Sequence, residues 1–184
     1  MMWTLPTTVS IDGEEHNIRN RCDYRVVLDV ICALKDNELS DKEKLQCAVF
    51  IFYEDASIIT NIEAAIAEMM KVINVGETSQ DNEPPAPSLM DWEHDFPQLA
   101  PPVSRVLGYS VRDAKNYTHW FDFAGAYMEI GECTFATIVS IRSKRRKGKP
   151  LDKGEQEFYR TNKKIVDLPQ NLTEDEKDWL DSDW

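Results

Sequence analysis

Asp91-Trp92-Glu93-His94-Asp95-Phe96-Pro97 and His119-Trp120-Phe121-Asp122-Phe123 are two aromatic knots in the stretch Met90 to Ile141, and how they are read decides the fold. Each sets large rings beside carboxylates and a histidine, so each can be read as a site or as core. The spacing around them is helical. Trp120, Phe121, Ala124, Tyr127 and Met128 predict an amphipathic helix ending near Gly131, and Phe135, Ile138 and Val139 predict the next. Before them, Ser88 with Asp91 suits a helix start. Pro97, Pro101 and Pro102 each remove a backbone donor and clash with the preceding turn. The expectation there is a short turn before Pro97, then a new helix from about Pro101 to Leu107 that Gly108 ends. Ser110 to Asp113 can cap a further short helix.

Upstream, Val9-Ser10-Ile11, Asp12-Gly13 and Glu14 to Ile18 read as a β-hairpin, because Asp-Gly supplies the positive φ angles of a type I′ turn. That loop pairs Val9 with His16, Ile11 with Glu14 and Thr7 with Ile18, which puts Val9, Ile11, His16 and Ile18 on one face. Three helices follow. Val26, Val27, Val30, Ile31 and Leu34 mark the first. Ser40-Asp41-Lys42-Glu43 is a capping box opening a helix expected to bury Leu45, Ala48, Val49 and Phe52. Thr60-Asn61-Ile62-Glu63 repeats the device before a stripe of Ile62, Ile66, Met69, Met70 and Ile73, with Gly76 as its stop. Core filling is the plainer reading of the Met pair, and an adaptable binding surface is the other.

The run ETSQDNEPPAP, residues 77–87, has too little apolar surface to offset the entropy of ordering and reads as a linker. The division is therefore 1–76, hairpin plus three helices; 77–87, linker; 88–169, a second helical lobe; and 170–184, an acidic tail with a short helix capped at Thr173. In the second lobe Leu151, Phe158, Tyr159, Ile165 and Val166 outline one more helix. The fold class is mainly α with one N-terminal hairpin.

The 184 residues carry a formal net charge of −12. That excess argues against general nucleic-acid affinity, which needs cations to displace counterions. No apolar run approaches the roughly 20 residues that span a membrane, and Met1-Met2-Trp3-Thr4 lacks the opening of a signal peptide. Cys22, Cys32, Cys47 and Cys133 form no C-x-x-C pair, so reduced thiols in a cytosolic protein are expected. Lys144-Arg145-Arg146-Lys147-Gly148-Lys149 is the one basic cluster. It either complements the carbonyls at a helix C-terminus or binds phosphate.

Asp91, Glu93, His94, Asp95, His119 and Asp122 are ligand types for a divalent ion, but a helix splays five consecutive residues around its axis. Trp92 packed on Trp120, with His119 bonded to an acidic neighbour, is the plainer reading. With no G-x-S-x-G elbow, no glycine-rich phosphate loop and three histidines, no catalytic, metal or cofactor site is expected. The partner-binding candidates are Trp92, Phe96, His119, Trp120 and Phe121, with Trp179 and Trp184 in the tail. Trp120 reads as core; Trp92 reads equally as core or as a partner anchor.

Leu5 to Asn20 (LPTTVSIDGEEHNIRN), Asp36 to Tyr53, MDWEHDFP at Met90 to Pro97, Leu107 to Phe123 (LGYSVRDAKNYTHWFDF), TFATIVSIRSKR, and GEQEFYRTNKKIVDLP to Pro169 keep a distinctive order. They resemble the bacteriophage gene-product-fifteen family of small phage tail-cluster proteins. The chain departs from the family pattern at Pro101 and Pro102, where the family has an unbroken helix, and Leu172 to Trp184 lies beyond the match. The resemblance implies a non-enzymatic tail assembly chaperone that binds the tape-measure protein, with tail-tube subunits as further partners and a homo-oligomer compatible with the role. It implies action in the cytoplasm of the infected bacterial host and absence from the mature virion. The alternative is a structural virion protein of the tail-completion or head–tail connector kind. A nucleic-acid mimic would need carboxylates lined up on one face.

Overall fold

A computed structural model describes residues 4–75 and 89–169. The hairpin comes first: β1 (Thr8–Ile11) pairs antiparallel with β2 (Glu14–Asn17) in the expected register, Val9 opposite His16 and Ile11 opposite Glu14. Asp12 and Gly13 make the turn at φ 52° and 89°. Val9, Ile11, His16 and Ile18 are all buried, as their alternation requires. Arg19 then closes the neighbouring helix: its guanidinium donates to the Phe50, Ile51 and Tyr53 carbonyls at 2.7–2.8 Å.

Helix α1 (Tyr24–Lys35) starts at Asp23, whose carboxylate accepts from Arg25 N. It packs on α2 (Asp41–Phe52), where Ser40 and Glu43 form the expected capping box. Helix α3 (Ile62–Ile73) differs from its sequence signature: Asn61, not Thr60, caps it by accepting from Ala64 N. Its buried stripe is Ala65, Met69 and Val72, while Ile62 and Met70 are exposed. On α2, Leu45 is likewise exposed and Ala48, Val49 and Phe52 are buried. The apolar stripes of both helices are thus wider than the faces that α1 and the hairpin cover.

The prolines do not break α4, which runs from Trp92 to Leu107 and carries all three. Its start is Asp91, not Ser88: Asp91 Oδ1 accepts from His94 N, and Asp95 Oδ2 accepts from Asp91 N. A helical proline normally costs about 3 kcal/mol. Here burial of Leu99, Ala100, Pro102 and Val103 offsets that cost, and the carbonyl freed by Pro101, that of Pro97, accepts from Arg112 Nη2 at 3.0 Å. Gly108, at φ 79°, ends the helix. Ser110 to Asp113 forms a turn and no helix.

Helices α5 (Trp120–Met128) and α6 (Thr134–Arg146) form where the spacing predicts them, but α5 buries Trp120, Phe123, Ala124 and Ala126 and leaves Met128, expected on its apolar stripe, 74% exposed. The single helix expected beyond them is two, α7 (Lys153–Thr161) and α8 (Lys163–Val166), separated at Asn162 with φ −118° and ψ 26°. The linker, the stop at Gly76, the start at Ser88, the Thr173 cap, Trp179 and Trp184 lie outside the described residues.

Chain from both sides of residues 77–87 fills one core, from Val9 and Tyr24 to Trp120 and Phe135. The seam is hydrogen-bonded: Tyr24 N donates to Thr118 O, and Trp120 N to Cys22 O. Tyr24 stacks on Phe123 with centroids 4.3 Å apart. Burial pushes the Cys22 thiol up to about 12, so that sulfur is a small apolar filler there. A smaller cluster of Ile138, Ile141 and Val166 holds α6 to α8. Beneath it Arg142 joins three parts of the chain. Its fork pairs with both Asp95 oxygens at 2.6 and 2.8 Å, and it also donates to the Leu89, Ile165 and Val166 carbonyls.

Candidate partner-binding surfaces

The two aromatic knots meet, but mostly inside the protein. His119 is fully buried and caps α5: its Nδ1 accepts from Phe121 N, which leaves Nε2–H to donate to the Pro6 carbonyl at 2.9 Å. Its partners are backbone groups, not the acidic neighbour expected. Trp120 is 5% exposed and its indole N–H donates to the Ile73 carbonyl. Trp92 meets Trp120 edge-on at 6.3 Å and also faces Phe123 and Tyr127. Phe121 is half-buried with its ring edge-on to His119. Rings this enclosed build the core, and of the candidates in the knots His119 and Trp120 have almost no surface to offer. Asp95 is spent on Arg142. Among the described residues no group of three or more His, Cys, Asp or Glu could hold a metal ion.

The outer edges of Trp92 and Phe96 do reach the surface. They line a cleft of about 410 Å³ between α1 and α4, with Leu28 and Cys32 on the α1 side. Phe96 lies over Tyr24, and the Arg112 guanidinium sits 5.8 Å from its ring centroid, so one end of the cleft is cationic. The other end is acidic. Burial raises the Cys32 thiol and the Glu93, Asp29 and Asp91 carboxylates raise it further, with Lys35 opposing.

A larger surface was not legible in the sequence. Leu45, Val49 and Phe50 of α2 and Ala56, Ile62 and Ile66 across from them line a groove of about 640 Å³, with Lys42, Gln46 and Glu63 supplying charge of both signs and an amide. Phe50 is 64% exposed, and Ile58, near Ala56, is 65% exposed. Scattered apolar residues on a surface are ordinary, but several aligned beside one groove mark an interaction site. The signal was present in the capping box and stripe. What it lacked was any indication that none of the described elements covers the outer half of the stripe.

Two cations of the basic cluster are engaged within the fold. Lys144 pairs with both oxygens of Glu155, and Arg145 pairs with Asp167 while lying 4.3 Å over Tyr159. Those two cations serve the packing of α6 on α7 and α8.

Among the described residues no helix is long and apolar enough to cross a membrane. Comparison with curated proteins and with solved structures finds no match. A protein family does match, over residues 1–168, and its description is Bacteriophage Gp15 protein. The match takes in the hairpin, both aromatic knots and all eight described helices, and it stops two residues after Val166, the end of α8. The chain belongs to the Bacteriophage Gp15 protein family, a family of phage structural and morphogenesis proteins.

Proposed function

We propose that this protein is a tail assembly chaperone that binds the tape-measure protein during tail morphogenesis, in the cytoplasm of the infected host, and leaves before the virion is complete. The observation that carries the reading is the open apolar groove between α2 and α3 in a member of a phage morphogenesis family. A long helical partner exposes an apolar ridge until tube subunits surround it. A groove walled by two helices, with Leu45, Phe50 and Ile62 on its surface, accepts such a ridge at i, i+3, i+4 and i+7 positions. From Lys42 to Phe50 the α2 wall is about 12 Å long, enough for roughly two turns of a partner helix. The net charge of −12 keeps the chaperone soluble while apolar surface is exposed.

Co-expression with the cognate tape-measure protein tests this. The expected result is a raised soluble yield of that partner and a complex on size exclusion. Phe50→Asp places a carboxylate in the groove at a side chain that is 64% exposed. Its melting temperature should stay close to that of the parent, since surface changes usually stay within about 0.5 kcal/mol. Capture should fall at least about tenfold, as for loss of an aromatic anchor. An unchanged complex with Phe50→Asp would contradict the groove assignment. A tape-measure protein that stays insoluble in the presence of the parent chain would contradict the function.

A further inference from the structure

Ten large apolar side chains are exposed among the described residues, and five of them, Leu45, Phe50, Ile58, Ile62 and Met70, lie on α2, α3 and the link between them. Val49 is 3% exposed and forms the floor of the groove there, whereas Phe50 on the same wall is 64% exposed and stands out from it. Lys42 and Glu63 also line the groove, and neither has an ion pair or hydrogen bond from its side chain among the described residues. Lys42 sits in the first turn of α2, where a cation opposes the helix dipole, so the stability of α2 does not account for it. The two charges lie at opposite ends. The Tyr53 hydroxyl donates to the Ala65 carbonyl at 2.7 Å, which brings the start of α3, with Glu63, to the end of α2 that carries Phe50. Lys42 is about 12 Å away along the α2 wall.

A groove with a cation at one end, and an anion beside a protruding ring at the other, is complementary to itself turned by half a revolution. We propose that a second copy of this chain fills the α2–α3 groove about a two-fold axis, with each Phe50 seated in the other copy's groove and each Lys42 against the other copy's Glu63. The aliphatic stem of Lys42 then lies along the arriving Phe50 ring, and its ammonium meets ring and carboxylate together. A contact of this kind uses the same patch on both copies, so it closes at two and does not grow into a filament. Two copies of net charge −12 repel at long range. Physiological salt screens that field over about 8 Å, and the Lys42–Glu63 pairs meet inside that distance. The α1–α4 cleft lacks this self-complementarity, because its rings Trp92 and Phe96 are half-buried rather than protruding. The inference rests on the proposed function for the groove's role as a docking site, and adds the occupant it holds when the tape-measure protein is absent.

Sedimentation equilibrium of the full chain at physiological salt tests it. No tape-measure protein is present, so the result stands apart from the solubility test of the proposed function. The expected result is a reversible equilibrium between one copy and two. Lys42→Glu alone and Glu63→Lys alone each set like charges opposite each other twice, and each should weaken the dimer at least about tenfold. Mixing the two variants should restore it, since every pair across the axis is then of opposite sign. The double variant should recover for the same reason. Melting temperatures close to the parent's check that these exposed substitutions leave the fold intact. A parent chain that stays monomeric at every concentration would overturn the proposal. So would assemblies larger than two copies, single variants that dimerise like the parent, or a mixture that associates no more tightly than its components.

Discussion

Replacing Arg142 with methionine should cost about 3–5 kcal/mol of stability, the usual result of removing one partner from a buried ion pair. The side chains are 6% and 2% exposed for Arg142 and Asp95. Methionine preserves most of the volume, so the loss is electrostatic: a buried carboxylate without its cation, and the Leu89, Ile165 and Val166 carbonyls without their donor. In a chain of this size each kcal/mol moves the melting temperature by about 2–4 °C, so a fall of roughly 10 °C or more is expected. Arg142→Lys should recover little, because one ammonium cannot span Asp95 and three carbonyls in a fork. Arg142→Met combined with Asp95→Leu should recover part of the loss, since an apolar pair avoids the unpaired charge. Denaturant titration measures all three. A loss under 1 kcal/mol for Arg142→Met would mean that this node does not hold α4, α6 and α8 together.

Trp120→Ala should be of comparable size, about 3–5 kcal/mol for truncating a large ring in a core. The indole lies among Trp92, Phe123 and the end of α3, and its N–H is the donor for the Ile73 carbonyl. Trp120→Phe keeps a ring and loses that bond, for an expected cost of about 1–3 kcal/mol from the unsatisfied carbonyl. Trp92→Ala should cost clearly less, because part of the Trp92 ring already faces the α1–α4 cleft. Chemical denaturation of the three variants checks the order. Equal losses at Trp92 and Trp120 would contradict the split between core ring and cleft ring.

The features legible in the sequence were those fixed by local chemistry. Asp12-Gly13 sets the hairpin register because few other pairs accept two positive φ angles. Ser40 with Glu43 announces α2 because both halves of the box lie within four residues. The features missed depend on distant partners. Three prolines predict a broken helix when read locally, yet α4 is continuous because Arg112 takes the carbonyl of Pro97 and the core takes Leu99 and Val103. His119 beside Trp120 and Asp122 resembled a site. The histidine is a helix cap, and the fold places its outward aromatic surface at Trp92 and Phe96. Helical spacing identified Leu45 and Ile62 as apolar without showing that, among the described residues, no element covers them. The α2–α3 groove follows from that difference.

The central claim is that this protein assembles tails without remaining in them. Quantitative mass spectrometry of purified mature particles measures it most directly. The account predicts that peptides of this chain are absent, or present only at trace level relative to the tape-measure protein, while the infected-cell lysate contains both. Stoichiometric amounts in finished particles would instead make it a structural component of the tail or of the head–tail connection, and would contradict the chaperone reading.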